Sequence, residues 1–175
     1  LIVVDIQNGF TLKCPDELPV PGTDGEWLKE TEKYIKHKKE EGFIIIASGD
    51  FHPENHISFS QWPSHCVENT YGSEYAFDEK LIDFRIKKGF YKDSDSYSAF
   101  YAGDNVKTEL DEILKKNNIK ETEIIGLAGE YCVLETYNDS LKFGYNTSYN
   151  EKFIKSISGD KFEEILRKKI KSGAI

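Results

Sequence analysis

Four short runs along the chain predict β-strands. They occupy residues 1–5, 43–47, 84–88 and 123–127. The first two are uninterrupted and rich in Ile and Val, which is typical of strands buried on both faces. Apolar residues also recur at helical spacing, which predicts helices over 26–41, from Val106 to Leu114, from Val133 to Gly144 and from Phe162 to Ile170. Gly42 is placed to end the first helix.

Strands that alternate with helices predict a parallel sheet built from right-handed crossovers and covered by helices on both faces. The expected fold is therefore a three-layer α/β/α domain over residues 1–175. The chain has no glycine-rich dinucleotide or phosphate motif, so no nucleotide cofactor is predicted.

Polar residues stand where the predicted strands end. Asp5, Lys88 and Asp50 follow three of the strands, and Cys132 lies in the turn after the fourth. Parallel α/β sheets bind ligands beyond the carboxyl ends of their strands. The sequence therefore predicts an active site at this edge.

Three potential metal ligands lie within sixteen residues: Asp50, His52 and His65. One carboxylate and two imidazoles suit Zn²⁺ or Fe²⁺ and leave coordination positions open for a substrate. The alternative interpretation is that these are polar loop residues and that Asp50 caps a turn.

The chain has three cysteines, and Cys132 is the candidate nucleophile. It follows a strand and opens a helical pattern, where the helix field and a neighbouring lysine would favour a thiolate. Cys14 lies beside Pro15 in a loop, and the side chain of Cys66 is expected to point away from that of His65. The alternative for Cys132 is an inert buried thiol.

Seven motifs in order along residues 1 to about 144 resemble those of nicotinamidases in the isochorismatase-like cysteine hydrolase superfamily. They are Asp5-Ile-Gln-Asn-Gly-Phe10, Asp50-Phe-His-Pro53, His56-Ile-Ser-Phe59, Trp62-Pro-Ser-His-Cys-Val67, Lys88-Gly-Phe90, Tyr97-Ser-Ala-Phe100 and Gly129-Glu-Tyr-Cys-Val133.

The resemblance implies roles for the reactive residues. Cys132 would attack a carboxamide, Asp5 would transfer protons, and Lys88 would hold both in their charged forms. Backbone N–H groups of Ala128 and Cys132 would form the oxyanion hole, with a cis peptide bond between Leu127 and Ala128.

The resemblance also implies how the substrate is bound. Phe10, Trp62, Tyr97 and Tyr131 would line a slot for a pyridine ring. The ring nitrogen would dock on one divalent ion held by Asp50, His52 and His65, with zinc as the first expectation and iron or manganese as alternatives.

Two further residues are expected near the metal. His56 is either a fourth ligand or a group that orients Asp50, and the second role is favoured because Pro53 and Asn55 suggest a turn that carries it outward. Asp95 corresponds to an acid that reaches a metal-bound water in relatives.

Three features depart from the family. Gly9 replaces the usual acid, residues 145–152 are polar where a fifth strand is expected, and only eight residues separate His56 from His65. A degraded strand or missing residues would explain the second feature, and an absent surface loop would explain the third.

Composition sets the remaining expectations. Acids outnumber bases 31 to 23, giving a net charge of −8, which argues against nucleic acid or an anionic membrane as a partner. The chain contains no apolar run of membrane-spanning length and no disulfide pattern, so a cytoplasmic or nuclear location is expected. It also lacks methionine, even at position 1, which leaves an upstream targeting segment open. A homo-oligomer is an open expectation.

The resemblance implies metal-dependent hydrolysis of nicotinamide to nicotinate and ammonia in NAD salvage, with pyrazinamide as a second substrate. The alternatives are a metal-free isochorismatase-like or carbamoyl hydrolase, and a non-catalytic metal or pyridine binder. Each would be expected to lack part of the residue set described above.

Overall fold

A computed structural model describes residues 1–172 and contains a five-stranded parallel sheet in the order β3-β2-β1-β6-β7. Its strands are β1 (Ile2–Val4), β2 (Ile46–Asp50), β3 (Phe84–Lys88), β6 (Glu121–Gly126) and β7 (Asn146–Ile154). A separate two-stranded ribbon joins β4 (Tyr101–Gly103) to β5 (Val106–Lys107). The predicted parallel sheet is confirmed. Strands β2 and β3 are added on one side of β1 and strands β6 and β7 on the other, so the direction in which strands are added changes beside β1.

Helices cover both faces of the sheet. They are α1 (Gly25–Glu40), α2 (Leu110–Lys116), α3 (Leu134–Lys142) and α4 (Phe162–Lys171). Side chains of β1 alternate between two cores: Val3 packs in the core that contains α1, while Ile2 and Val4 pack in the core that contains the other three helices. The predicted three-layer arrangement is confirmed. Among residues 1–172, no helix has the length and apolar character needed to span a bilayer.

The first helix has sequence signals at both ends. Asp24 accepts a hydrogen bond from Trp27 N–H at 2.8 Å and so caps the first turn. Gly42 directly follows Glu41, the residue that caps the C-terminus of the helix, and has φ +90, a left-handed conformation that glycine adopts without strain. This helix therefore occupies nearly the predicted range.

Two predicted elements are displaced. The second strand starts at Ile46 rather than at residue 43, and Phe43 is 39% exposed, with the Lys38 ammonium 4.4 Å from its ring centre. Val106 lies in the exposed ribbon rather than in a helix, and α2 begins only at Leu110. The spacing of apolar residues alone did not distinguish the exposed Phe43 and Val106 from buried positions.

The fifth strand is present despite its polarity. Residues Asn146–Ile154 form β7 at the edge of the sheet, where most side chains are exposed or half-buried. Only its last two residues, Phe153 and Ile154, are buried. An edge strand needs few apolar side chains, and polar ones protect it from pairing with other chains. The segment between His56 and His65 includes a short 3₁₀ helix at Ile57–Ser60.

Candidate active site

Three adjacent strands bring their end residues together. Asp50 and Lys88 are paired in register as the last residues of β2 and β3. Asp5 follows β1 with φ +50, a left-handed conformation that is uncommon for a residue with a side chain and is often found at functional sites. Ser48 donates its hydroxyl proton to Asp5 Oδ1 at 2.6 Å.

Lys88 joins these residues into one cluster. Its ammonium nitrogen lies 3.0 Å from Asp5 Oδ2, 2.6 Å from Asp50 Oδ1 and 3.6 Å from Cys132 Sγ. It also donates to the Ser96 carbonyl at 3.1 Å. Both Lys88 and Asp5 are fully buried. A buried ammonium is tolerated only when it is paired, and here two carboxylates and a carbonyl supply the pairing.

The pKa values in this cluster reflect burial and mutual charge. Burial alone would lower the pKa of Lys88, but Asp5 and Asp50 raise it well above its ordinary value. Burial raises the pKa of Asp5, and Lys88 opposes that effect. Burial likewise raises the pKa of the Cys132 thiol well above its ordinary range, against the opposing effect of Lys88. At Cys132, desolvation thus opposes the lysine field that favours a thiolate.

The nucleophile candidate lies in a compact turn between β6 and α3. Leu127 and Ala128 are joined by a cis peptide bond, as expected, and Cys132 belongs to a single turn of π-helix, Gly129–Val133. Gly129 N–H donates to the Lys155 carbonyl at 2.9 Å, which ties the turn to the segment after β7. The turn sets Cys132 Sγ within 4.8 Å of an oxygen of Asp5.

The proposed metal ligands also converge. One ligand atom from each of Asp50, His52 and His65 lies within 4.8 Å of the others, and all three residues are buried. His52 Nδ1 lies 2.7 Å from the Gly89 carbonyl, and His65 Nδ1 lies 2.6 Å from the Pro63 carbonyl. Because a carbonyl only accepts, both Nδ1 atoms carry the proton and both Nε2 atoms keep a free lone pair.

This donor set fits a divalent transition metal. Burial lowers the pKa of His52 to about 4 and also lowers that of His65, so both imidazoles are neutral at pH 7, as ligation requires. The carbonyl partners on Nδ1 fix the ring orientation in the way that supporting groups around protein metal sites commonly do. A carboxylate with two neutral imidazoles matches the preferences of zinc and iron.

His56 differs from its favoured expectation. It is buried rather than carried outward, and its ring stacks on His52 with 4.0 Å between centres. Its Nδ1 pairs with the Ser58 hydroxyl at 2.7 Å, and its Nε2 lies 3.2 Å from the Ser94 carbonyl. It contacts the His52 ring, and its role, either a fourth ligand or a supporting group, stays a prediction. Asp95 is half-buried, and one of its oxygens lies within 4.8 Å of a ring nitrogen of His52 and of a ring nitrogen of His56.

The four aromatic residues predicted to bind substrate line a single cavity. Trp62 meets the Tyr131 ring edge-on at 5.3 Å, Tyr97 lies 5.4 Å from the same ring, and Phe10 lies 5.2 Å from His65. The cavity also contacts Asp50, His52, His65, Asp95, Ala128 and Cys132. Sequence reasoning missed its remaining lining residues, which are Leu18, Val20, Ser58 and Ile157.

Gln7 is a further residue that sequence reasoning did not single out. Its side-chain amide donates to the carbonyls of Asp50 and Ser73 at 2.7 and 2.8 Å, and its Oε1 accepts from Asp50 N–H at 2.8 Å. Gln7 therefore fixes the backbone of the proposed ligand Asp50. The signal that could have identified Gln7 was its place in the first motif. Its hydrogen-bond partners lie 43 and 66 residues away along the chain, so no local pattern indicates them.

The arrangement of a buried acid, a lysine and a cysteine at the strand ends defines a class of hydrolase, and comparison with known proteins agrees. An isochorismatase domain profile matches residues 1–171, and the chain belongs to that family.

Within the family, its curated relatives are nicotinamidases. The enzyme of Acinetobacter baylyi is 35% identical over an alignment of 170 positions. The alignment covers 84% of this chain and 76% of the relative. The nicotinamidase of Escherichia coli is 34% identical over 85% of this chain and 78% of its own. The resemblance found in the sequence motifs is thus confirmed.

Solved structures give the same picture. A pyrazinamidase of Pyrococcus horikoshii in complex with zinc has a TM-score of 0.83 and 38% identity, covering 95% of this chain and 91% of its own. The yeast nicotinamidase bound to the inhibitor nicotinaldehyde has a TM-score of 0.84 and 30% identity, covering 99% of this chain and 94% of its own. The isochorismatase-like fold is confirmed.

Proposed function

We propose that the protein is a metal-dependent amidohydrolase that converts nicotinamide to nicotinate and ammonia, and that it also hydrolyses pyrazinamide. One observation carries the proposal: Asp5, Lys88 and Cys132 meet within one cluster, directly beside the converging groups of Asp50, His52 and His65. Nicotinamidases are the curated relatives, which supports the choice of substrate. The reaction would serve NAD salvage, and a cytoplasmic location stays a prediction.

The chemistry begins with proton transfer from Cys132 to Asp5. The raised pKa of Asp5 suits a carboxylate that accepts a proton and returns it. Cys132 Sγ attacks the carboxamide carbon, and the C–N bond breaks as Asp5 gives the proton to the leaving ammonia. A thioester remains. Asp5 then takes a proton from an attacking water, the C–S bond breaks, and the acid leaves while the thiol is restored.

Lys88 is assigned to electrostatics rather than proton transfer. Its raised pKa keeps it charged throughout, and it stabilises the thiolate that forms when Asp5 takes the proton. The backbone N–H groups of Ala128 and Cys132 are assigned to the developing oxyanion. Loss of one such donor typically costs about 3 kcal/mol of barrier.

The metal ion would be held by Asp50, His52 and His65, and we propose that this ion is zinc. When bound, the ion would supply a Lewis-acid contact for the pyridine nitrogen. Phe10, Trp62, Tyr97 and Tyr131 would hold the ring, and water is displaced as these apolar faces close around it.

The deciding experiment compares nicotinamide with benzamide, which has the same amide but lacks the ring nitrogen. On zinc-loaded protein, we expect ammonia release from nicotinamide, with kcat/KM for benzamide about a hundredfold lower because the carboxamide is no longer fixed against Cys132. Pyrazinamide keeps the nitrogen and should resemble nicotinamide. Equal values for benzamide and nicotinamide would contradict the metal's role, and no ammonia from any of the three would contradict the proposed function.

A further inference from the structure

The carboxylate of Glu17 lies between two glycines in separate turns. A Cβ on Gly9 would overlap Glu17 Oε2, and a Cβ on Gly72 would overlap Glu17 Oε1. Neither glycine has a φ in the left-handed region, so their backbones would accept other residues. Both positions instead require a residue without a side chain, because the Glu17 carboxylate occupies the space that a Cβ would fill.

The carboxylate has a specific partner in the loop that carries His65. Glu17 Oε2 accepts a hydrogen bond from Cys66 N–H at 2.9 Å. Cys66 has φ +46, a left-handed conformation that costs free energy in a residue with a side chain and persists only when its surroundings hold it. On its other side, the Cys66 carbonyl accepts from His52 N–H at 3.0 Å. The residue after His65 is therefore held from two directions.

Glu17 is itself fixed in place. Leu18 N–H donates to the Gly9 carbonyl at 3.1 Å, and Val20 N–H donates to the Phe10 carbonyl at 3.0 Å. These bonds align the segment after Glu17 along the turn that follows Asp5. The Phe10 ring lies against His65 at 5.2 Å, so the same segment and turn contact this imidazole as well.

We propose that Glu17 is a positioning residue for the metal ligand His65. By binding the amide directly after His65, its carboxylate stabilises the left-handed turn at Cys66 and so keeps the imidazole directed at Asp50 and His52. Gly9 and Gly72 belong to the same device because they leave room for the carboxylate. The inference rests on the proposed function, since it takes Asp50, His52 and His65 as a metal site.

The first test measures zinc affinity by competition with a chromophoric chelator. Loss of a supporting group around a metal site typically costs about 10- to 100-fold in affinity, and we expect this loss for Glu17→Ala. Glu17→Gln keeps an acceptor oxygen and should lose less. Asp16→Ala removes the neighbouring, exposed acid and should bind zinc as the unmodified protein does. The thermal midpoint of the metal-free Glu17→Ala protein should fall by no more than about 5 °C.

The second test uses Gly72, because the nearest atoms that a Cβ there would meet all belong to the Glu17 carboxylate. Gly72→Ala leaves Glu17 in the sequence but displaces its carboxylate, so it should reduce zinc affinity by a similar factor. The double variant Gly72→Ala/Glu17→Ala should then be no weaker than the weaker single variant, because both changes break one interaction. Unchanged affinity in Glu17→Ala, or losses that multiply in the double variant, would overturn the inference.

A reference variant separates this inference from the proposed function. His52→Ala removes a proposed ligand and should bind zinc far more weakly than the unmodified protein. If the unmodified protein and His52→Ala bind zinc equally, the metal site itself is wrong and both proposals fail. If His52→Ala loses zinc while Glu17→Ala retains it, only the role of Glu17 fails.

Discussion

The two sides of the candidate site are built from different parts of the fold. The reactive side, defined as Asp5, Lys88 and Cys132, follows the ends of neighbouring strands and is almost completely buried. The recognition side, defined as Phe10, Trp62, Tyr97 and Tyr131, stands on turns and loops from four parts of the chain, and Tyr97 is 36% exposed.

The contacts within each side differ in kind. On the reactive side, charged groups are held at hydrogen-bond distance by paired strands, so a small displacement changes the electrostatics strongly. On the recognition side, rings contact one another through faces and edges about 5 Å apart. Such contacts tolerate small shifts. The comparison therefore predicts large effects of substitution on one side and graded effects on the other.

The largest effect is expected for Cys132→Ala. Loss of the nucleophile should reduce turnover of nicotinamide by at least about a thousandfold, because the remaining groups do not act independently of it. Zinc content and nicotinamide binding should persist, since the thiol is assigned to chemistry. Cys14→Ala is the control, because Cys14 lies outside the cavity lining, and it should keep full activity. Ammonia release from Cys132→Ala at the unmodified rate would contradict the nucleophile assignment.

Lys88→Met tests the reactive side through stability. The variant leaves Asp5 and Asp50 buried without their cation, which should lower the free energy of unfolding at pH 7 by about 3–5 kcal/mol in chelator-treated protein. Denaturation by urea measures this change. Lys87→Met on the same strand is the matched control, because its exposed ion pair with Glu68 should contribute less than about 1 kcal/mol.

The pH dependence of Lys88→Met has a definite sign. Burial already raises the pKa of Asp5 in the folded protein, and removal of Lys88 takes away the opposing effect. A carboxylate with a raised folded-state pKa contributes stability below its unfolded pKa and loses it as pH rises through the folded value. The loss of stability should thus be smaller at pH 5 than at pH 8. A larger loss at pH 5 would contradict the assigned charge on Asp5.

The smallest effect is expected on the recognition side. Trp62→Ala removes one ring from the set around Tyr131, and an aromatic contact of this kind contributes about 0.5–1.5 kcal/mol. We expect kcat/KM for nicotinamide to fall about three- to tenfold, mainly through KM. Phe43→Ala, at the opposite edge of the sheet, should change neither constant. A hundredfold fall in kcat for Trp62→Ala would abolish the distinction between the two sides.

The reactive side was accessible from the sequence because short strand patterns end in polar residues. Three strands in parallel register suffice to bring Asp5, Asp50 and Lys88 together, whatever their distance along the chain. The candidate metal ligands could be recognised for a related reason, since their spacing along the chain is local. The cis bond at Leu127 was expected from family resemblance alone.

Other features depend on contacts that local patterns do not encode. The buried position of His56 follows from its stack on His52 and its bonds to Ser58 and Ser94, not from the turn suggested by Pro53. Glu17 contacts an amide 49 residues away. The start of β2 was misplaced because Phe43 is apolar but lies at the surface against the Lys38 ammonium instead of entering the sheet.

Asp50 uses its two carboxylate oxygens for different neighbours, and this restricts how the protein can be redesigned. Oδ1 accepts a hydrogen bond from Lys88 at 2.6 Å, while Oδ2 lies 3.7 Å from His52 Nε2. Replacing Asp50 to create a metal-free enzyme would also remove a counter-ion of the buried lysine. Engineering that alters metal use is therefore better directed at His52 or His65, so that the carboxylate remains as a fixed part of the scaffold.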